Sequence, residues 1–134
     1  MTSPDDVATN RRQLAAAVFD DAFSRQQFAR VDAALESYTL RVRGREVGLR
    51  RGDLQRIVAA WHAAFADFHF DVHSIVVDGD LAAVHATLHG THVGEWNGKP
   101  PTGRQHTAEH MCFIRFEGDQ IREVWELYDP ADLP

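Results

Sequence analysis

At 134 residues the chain has the length of one domain and can bury a real core, and its 44% hydrophobic and 25% charged residues are ordinary for a soluble globular protein. A net charge of -6, from 14 basic and 20 acidic residues, argues against nucleic acid or an anionic membrane as the main partner, because both require a basic patch. The single cysteine, Cys112, leaves no internal disulfide and fits a reducing compartment.

The N-terminal run MTSPDDVATNRR is polar and does not read as a signal peptide, and no segment approaches the roughly 18 consecutive apolar residues of a membrane span. The expected location is therefore the cytoplasm. Ser3-Pro4-Asp5-Asp6 is a helix start: Ser caps, Pro fits the first helical position, and acidic residues suit the positive end of the dipole. Leu14, Val18, Phe19, Ala22 and Phe23 recur at helical spacing, which predicts a helix to about Ser24. Phe28, Val31 and Leu35 predict a short second helix. Tyr38 to Val42 reads as a strand, followed by a connection rich in Gly and Arg. Its arginines (Arg41, Arg43, Arg45, Arg50, Arg51) read as a solvated surface rather than a phosphate site. Leu54, Ile57, Val58, Trp61 and Phe65 form the cleanest helical stripe, from about Asp53 to Ala66.

Beyond that point the hydrophobic period changes to two. Strands are predicted at Phe70–Val77, Leu81–Val93, Gln105–Phe116 and Ile121–Asp129, with turns at Asp78-Gly79-Asp80 and Gly118-Asp119. The segment from Gly94 to Arg104, with its Gly and Pro residues, is a loop. Helices followed by an antiparallel meander make the chain α+β, read as a single domain over residues 1–134.

Register then decides which side chains share a face. A two-residue turn at Gly118-Asp119 pairs Glu117 with Gln120, and an unbroken ladder then sets Ile114 opposite Glu123, Cys112 opposite Trp125 and His110 opposite Leu127. Ala108 falls opposite Asp129, and across the longer loop His92 falls near His106 and Leu88 near His110. The inward face so counted carries Glu123, Trp125, Asp129, His92, His106, His110 and Cys112 among apolar neighbours. Several ionisable groups on one inward face are costly to bury without partners or water, so a pocket is expected there, with Ala86, Gly90 and Ala108 leaving room. The remaining residues of the last two strands, Val124, Tyr128, Met111 and Phe113, would form an outer apolar face that favours a homodimer.

The histidines do not favour a metal. His85 and His89 share a strand face but stand about 13 Å apart at strand spacing. A set of His92, His106, His110 and Asp129 is conceivable, but no helical His spacing or Cys/His motif supports it, so no metal is expected. Cys112 reads as a small buried hydrophobe rather than a nucleophile.

The run Gly90-Thr91-His92-Val93-Gly94-Glu95, then Pro101-Thr102-Gly103, then Phe116-Glu117-Gly118-Asp119-Gln120-Ile121-Arg122-Glu123-Val124-Trp125 and Asp129, resembles the SnoaL-like polyketide cyclase family. Phe65-Ala66-Asp67-Phe68 and Asp78-Gly79-Asp80 fall where that family has its aromatic stretch and its turn. The hairpin departs from the family pattern only in reading Gly118-Asp119-Gln120 at its tip. The resemblance implies a cone-shaped barrel of the nuclear transport factor 2-like class: a curved antiparallel sheet packed on about three N-terminal helices, usually a homodimer. It implies a cofactor-independent cyclase or isomerase that closes a ring of a polyketide-like carbonyl substrate by acid/base aldol chemistry, with no metal. Carried over, the acid/base is Glu123 or Asp129, between which motif and register disagree, with His92 and His110 beside it. Trp125, Trp61, Phe65 and His106 are the expected substrate-binding walls. The same fold also supports epoxide hydrolysis through an Asp-Arg-Asp relay, which the absence of an arginine on the counted face disfavours. The alternative is a non-catalytic domain that binds a small hydrophobic ligand in the same pocket.

Overall fold

Ser3 begins the first helix as its spacing requires, its Oγ accepting from the Asp6 N–H at 3.1 Å, with Pro4 in the first turn. The computed structural model describes residues 3–134. Helix α1 (Pro4–Ala17) runs directly into a π-helical segment (Val18–Ser24), so the predicted helix to Ser24 is continuous but changes its winding. The Ser24 Oγ donates to the Phe19 carbonyl at 2.7 Å and accepts from the Phe70 N–H at 2.9 Å, which fastens the wide turn to the sheet. A short helix α2 (Ala29–Asp32) follows, then strands β1 (Ser37–Val42) and β2 (Arg45–Arg50), helix α3 (Asp53–Ala64), and strands β3 (Phe65–Asp78), β4 (Leu81–His92), β5 (Gln105–Glu117) and β6 (Gln120–Tyr128).

The six strands form one sheet in the order β2-β1-β6-β5-β4-β3. All neighbours are antiparallel except β1 and β6, which run parallel through Thr39–Glu123 to Val42–Glu126. The sheet is curved and open, its edges being β2 and β3, with the N-terminal helices on its inner face: an α+β fold of the nuclear transport factor 2-like class. No helix among the described residues is long and apolar enough to cross a membrane.

Two elements depart from the sequence reading. The connection after Val42 contains strand β2, which is exposed along nearly its whole length and so lacks the apolar alternation by which a strand is recognised. Helix α3 ends at Ala64, and β3 starts at Phe65 rather than Phe70. A bulge between Ala66 and His69, with Asp67 at φ 56°, bends this strand.

The core lies between helices and sheet. Phe19, Ala22, Val31 and Val58 from the helices meet Phe65, Phe68, Phe70, Leu88, Ala108, Ile114, Phe116 and Ile121 from the strands. The small inward residues do not open space as expected. Ala86 and Ala108 are fully covered, and a Cβ on Gly90 would stand 2.7 Å from the Phe65 Cβ, so Gly90 is where Phe65 crosses β4.

Candidate functional site

The turn at Gly118-Asp119 pairs Glu117 with Gln120 as expected, and Phe116 pairs with Ile121. The next pair is Arg115 with Glu123, so Arg122 is an extra residue, a bulge that shifts the ladder by one. Because the side-chain period is two, every residue of β6 beyond it faces the opposite way from the unbroken count. Glu123, Trp125 and Leu127 therefore face outward, and Val124, Glu126 and Tyr128 face inward. Between β4 and β5 the count was also off, but by two: Leu88 pairs with Ala108 and Ala86 with His110. An even shift leaves the faces unchanged, and His110 and Cys112 stay inside.

The inward face borders a pocket of about 820 Å3, its mouth included. Phe19 and Phe23 of the π-helical turn, Trp61 of α3, Phe70 of β3 and Leu88 of β4 supply apolar wall. Besides the Trp61 indole, four oxygen- or nitrogen-bearing side chains enter it: Tyr38 from β1, His110 from β5, and Glu126 and Tyr128 from β6. No arginine is among the lining residues.

His110 is the centre of this group. It is buried, its ring set edge-on against Phe19 and Phe70 at 5.6 and 5.3 Å between centroids, and it stacks on Tyr128 at 6.3 Å. Its Nε2 lies 3.6 Å from the Glu126 Oε2, while its Nδ1 is buried with no protein partner. Buried polar atoms are seldom left unpaired, so an orphaned ring nitrogen at a pocket wall marks a place for a ligand atom or water. Burial, reinforced by Asp53, Glu126 and Asp32, pushes the Tyr38 phenol well above its ordinary value. Burial and Glu126 also raise Tyr128, against an opposing effect of Arg43, whose guanidinium lies 5.6 Å over its ring. Both phenols thus keep their protons at neutral pH and serve as hydrogen-bond donors. Burial, with Glu126 adding to it, raises the Cys112 thiol to about 12, which keeps it protonated and unsuited to nucleophilic attack.

Other residues expected at the site lie elsewhere. Glu123 is held on the outer face between Arg41 and Arg115, and Arg41 also covers the outward Trp125 at 5.1 Å from its ring centre. The Arg115 hydrogen bond is the main cause that holds the Glu123 carboxyl below its usual range, followed by Arg41. Asp129 is exposed and caps a short 3-10 turn (Pro130–Asp132), accepting from the Ala131 N–H at 2.9 Å. His92 is completely buried away from the pocket. Its Nδ1 accepts from the Thr102 N–H at 3.2 Å, and its backbone bonds Gly103 and Arg104, so it anchors the return of the long loop. His106 packs near His92 and Phe65, with its Nδ1 3.1 Å from the Asp132 carbonyl. Phe65 packs among His92, His106 and Trp96 in the core. Among the expected wall residues, Trp61 lines the pocket, and Trp96 from the loop packs against its ring in a tilted contact at 4.3 Å between centroids. His92, His106, His110 and Asp129 do not converge on a common point.

The residues missed were Glu126, Tyr128 and Tyr38. A faint signal for the first two exists: Ile121 and Val124 are both apolar and three residues apart, a spacing that a regular strand cannot put on one face.

The sequence profile described as SnoaL-like polyketide cyclase matches residues 13–133. No curated protein matches the chain. Among solved structures, the fold is similar to AclR from Streptomyces galilaeus, described as a candidate hydroxylase, with TM-score 0.79 at 22% identity over 93% of this chain and 78% of that one. It is similar to IdmH from Streptomyces antibioticus, described as a candidate polyketide cyclase, with TM-score 0.76 at 23% identity over 90% and 92%. TsrD from Streptomyces laurentii superposes with TM-score 0.79 at 21% identity over 92% and 91%. With the profile covering nearly all of its length, the chain belongs to the SnoaL-like polyketide cyclase family.

Proposed function

We propose that the protein is an acid/base enzyme that closes a ring of a polyketide-like carbonyl compound by an aldol step, using His110 and Glu126 as its reacting pair. The observation that carries this reading is the ring of the pocket-lining His110: one nitrogen lies beside the Glu126 carboxylate at 3.6 Å, and the other is buried without a hydrogen-bond partner. A carboxylate on the Nε2 side favours the tautomer with hydrogen on Nε2. Nδ1 then presents a lone pair to the pocket, the arrangement by which a carboxylate orients a histidine general base.

In the proposed reaction Nδ1 takes a proton alpha to a carbonyl, and the electron pair of that C–H bond becomes the enolate. The enolate carbon bonds to a second carbonyl carbon of the same molecule, whose oxygen becomes an alkoxide. The imidazolium returns its proton to that alkoxide, and the ring nitrogen is restored. Glu126 stabilises the imidazolium between the two transfers, and the protonated phenols of Tyr38 and Tyr128 are placed to donate to the developing oxyanions. The apolar wall of Phe19, Phe23, Trp61 and Phe70 suits a flat, largely apolar substrate. Every group in this scheme is a side chain, in keeping with a reaction that uses no cofactor. A homodimer through the outer face belongs to the same proposal: Met111, Phe113 and Leu127 are exposed there, with Trp125 opposite Phe113.

The first step can be tested without knowing the natural substrate. A soluble aromatic 1,3-diketone is incubated with the enzyme in deuterated buffer, and exchange of its alpha hydrogens is followed by NMR. Catalysed exchange that disappears in His110→Ala supports the reading. Saturable binding of the diketone with no catalysed exchange would instead favour a ligand-binding domain with the same pocket.

A further inference from the structure

The outer face of β3 and β4 carries a second cluster, unrelated to the pocket. His69 pairs directly with His89 across the two antiparallel strands, and Asp71 stands two residues along β3 from His69. Period two therefore puts all three side chains on one face. Phe68, Phe70 and Leu88 alternate with them and are buried on the inner side. The two imidazole rings stack at 4.7 Å with 11° between their planes. The His89 Nε2 lies 2.8 Å from one Asp71 oxygen and the His69 Nε2 4.0 Å from the other. One donor atom from each of the three residues lies within 4.8 Å of the other two.

We propose that His69, Asp71 and His89 bind a late first-row divalent cation of the Zn2+ type. A tetrahedral ion with ligand bonds of about 2.0–2.1 Å sets its donors about 3.3–3.4 Å apart, and one donor atom from each residue already lies within 4.8 Å of the others, so the side chains have only to close in slightly. Partly exposed side chains can make the adjustment by small rotations. Two imidazoles with one carboxylate favour zinc, nickel, cobalt or copper over magnesium and calcium, which take oxygen ligands.

The orientation of His69 is the second observation, independent of the clustering. Its Nδ1 lies 2.7 Å from the Asp67 carbonyl, which can only accept, so the ring hydrogen sits on Nδ1. A second contact of this kind, from the non-ligating nitrogen to a carbonyl, is how metal-binding histidines are fixed in tautomer and direction. The positive φ of Asp67 and the bulge between Ala66 and His69 shape the backbone that supplies this carbonyl. A bound ion would clamp the edge strand β3 to β4 beside its bulge. It would also leave a coordination position open to water, since the protein supplies three ligands.

The test uses the full chain without an affinity tag, stripped of metal and titrated with ZnCl2 by calorimetry, with CoCl2 absorption as a second readout. The expected result is one saturable equivalent at micromolar affinity, visible Co2+ bands of a low-coordinate nitrogen and oxygen site, and a melting temperature that rises by several degrees. His89→Ala and Asp71→Asn should each weaken Zn2+ at least tenfold and remove the Co2+ bands, with far-UV circular dichroism unchanged. His85→Ala, on the same face of β4 but outside the cluster, should leave the affinity within twofold. Absence of saturable Zn2+ binding overturns the proposal. So does Zn2+ binding that persists in both His89→Ala and Asp71→Asn, since the ion would then sit on other histidines.

Discussion

Glu123 and Glu126 stand three residues apart on one strand and have opposite surroundings. Glu123 lies on the outer face between two guanidinium groups, Arg41 and Arg115, which favour its charged form and occupy its oxygens. Glu126 lies on the inner face of the sheet, directly opposite Cys112 and 3.6 Å from the His110 Nε2, where it raises the Cys112 thiol and the phenols of Tyr38 and Tyr128. A carboxylate locked into a pair of arginine contacts has little freedom to exchange protons with a substrate. One that borders an apolar pocket beside an unpartnered imidazole does. The comparison teaches that the residue type within the sequence motif matters less than the face it is delivered to, and here a single extra residue, Arg122, decides the face.

The largest expected effect separates the two glutamates by activity. His110→Ala should lower alpha-hydrogen exchange of a bound diketone by about 100-fold or more, the scale of a lost general base, and Glu126→Gln by about 10- to 100-fold. Glu123→Gln should leave the rate within about twofold of the parent, because proton transfer from the pocket does not reach the outer face. A large loss in Glu123→Gln with the protein still folded would reverse the two assignments.

Deleting Arg122 comes next, and it tests the bulge directly. Removal of the extra residue leaves Phe116 opposite Ile121 and Arg115 opposite Glu123 on a regular ladder, so Glu126 should still face His110. The variant should fold, retain most of the exchange activity and lose about 1–3 kcal/mol of stability in urea unfolding, through the altered twist and the lost contacts of Arg122 to Ser37 and Glu117. A folded variant that has lost exchange would mean that the bend of the strand, rather than its register alone, places Glu126.

How far the sequence could be read follows from the same bulge. Strands β4 and β5 alternate cleanly between covered and uncovered positions, so their inward set was readable even though the pairing between them was two residues off. Strand β6 gives no such contrast. Its two faces both carry apolar and charged residues, Trp125 and Leu127 on one side and Val124 and Tyr128 on the other, so hydrophobicity could not arbitrate the register and a bulge left no clear trace. Strand β2 was missed for the complementary reason, having almost no buried residues from which a period could be read. His110 was identifiable because it sits on the well-patterned strand, and Glu126 was hidden because it sits on the ambiguous one.

A smaller effect concerns the charge of Glu126 as felt by its neighbours. Burial is the main reason that Cys112 is raised to about 12, and the Glu126 carboxylate adds to it by disfavouring a second negative charge. Glu126→Gln should therefore move the pH midpoint of Cys112 alkylation downward by a fraction of the total shift, while Glu123→Gln leaves it unmoved. An unmoved midpoint in Glu126→Gln would show that its carboxylate does not feel the thiol across the inner face.

The smallest effect concerns the outer glutamate and appears only as pH falls. The folded-state pKa of Glu123 lies below its ordinary value of 4.5, because Arg115 and Arg41 favour the charged form. A group depressed on folding contributes stability that is fully present above its unfolded pKa and is lost as pH falls through its folded pKa. Glu123→Gln should accordingly be less stable than the parent at neutral pH, and the gap between their urea midpoints should close progressively as the pH drops below about 4.5. A gap for Glu123→Gln that stayed constant down to acid would mean that the arginine contacts contribute through packing, as Arg41 does against Trp125, and not through the charge of the carboxylate.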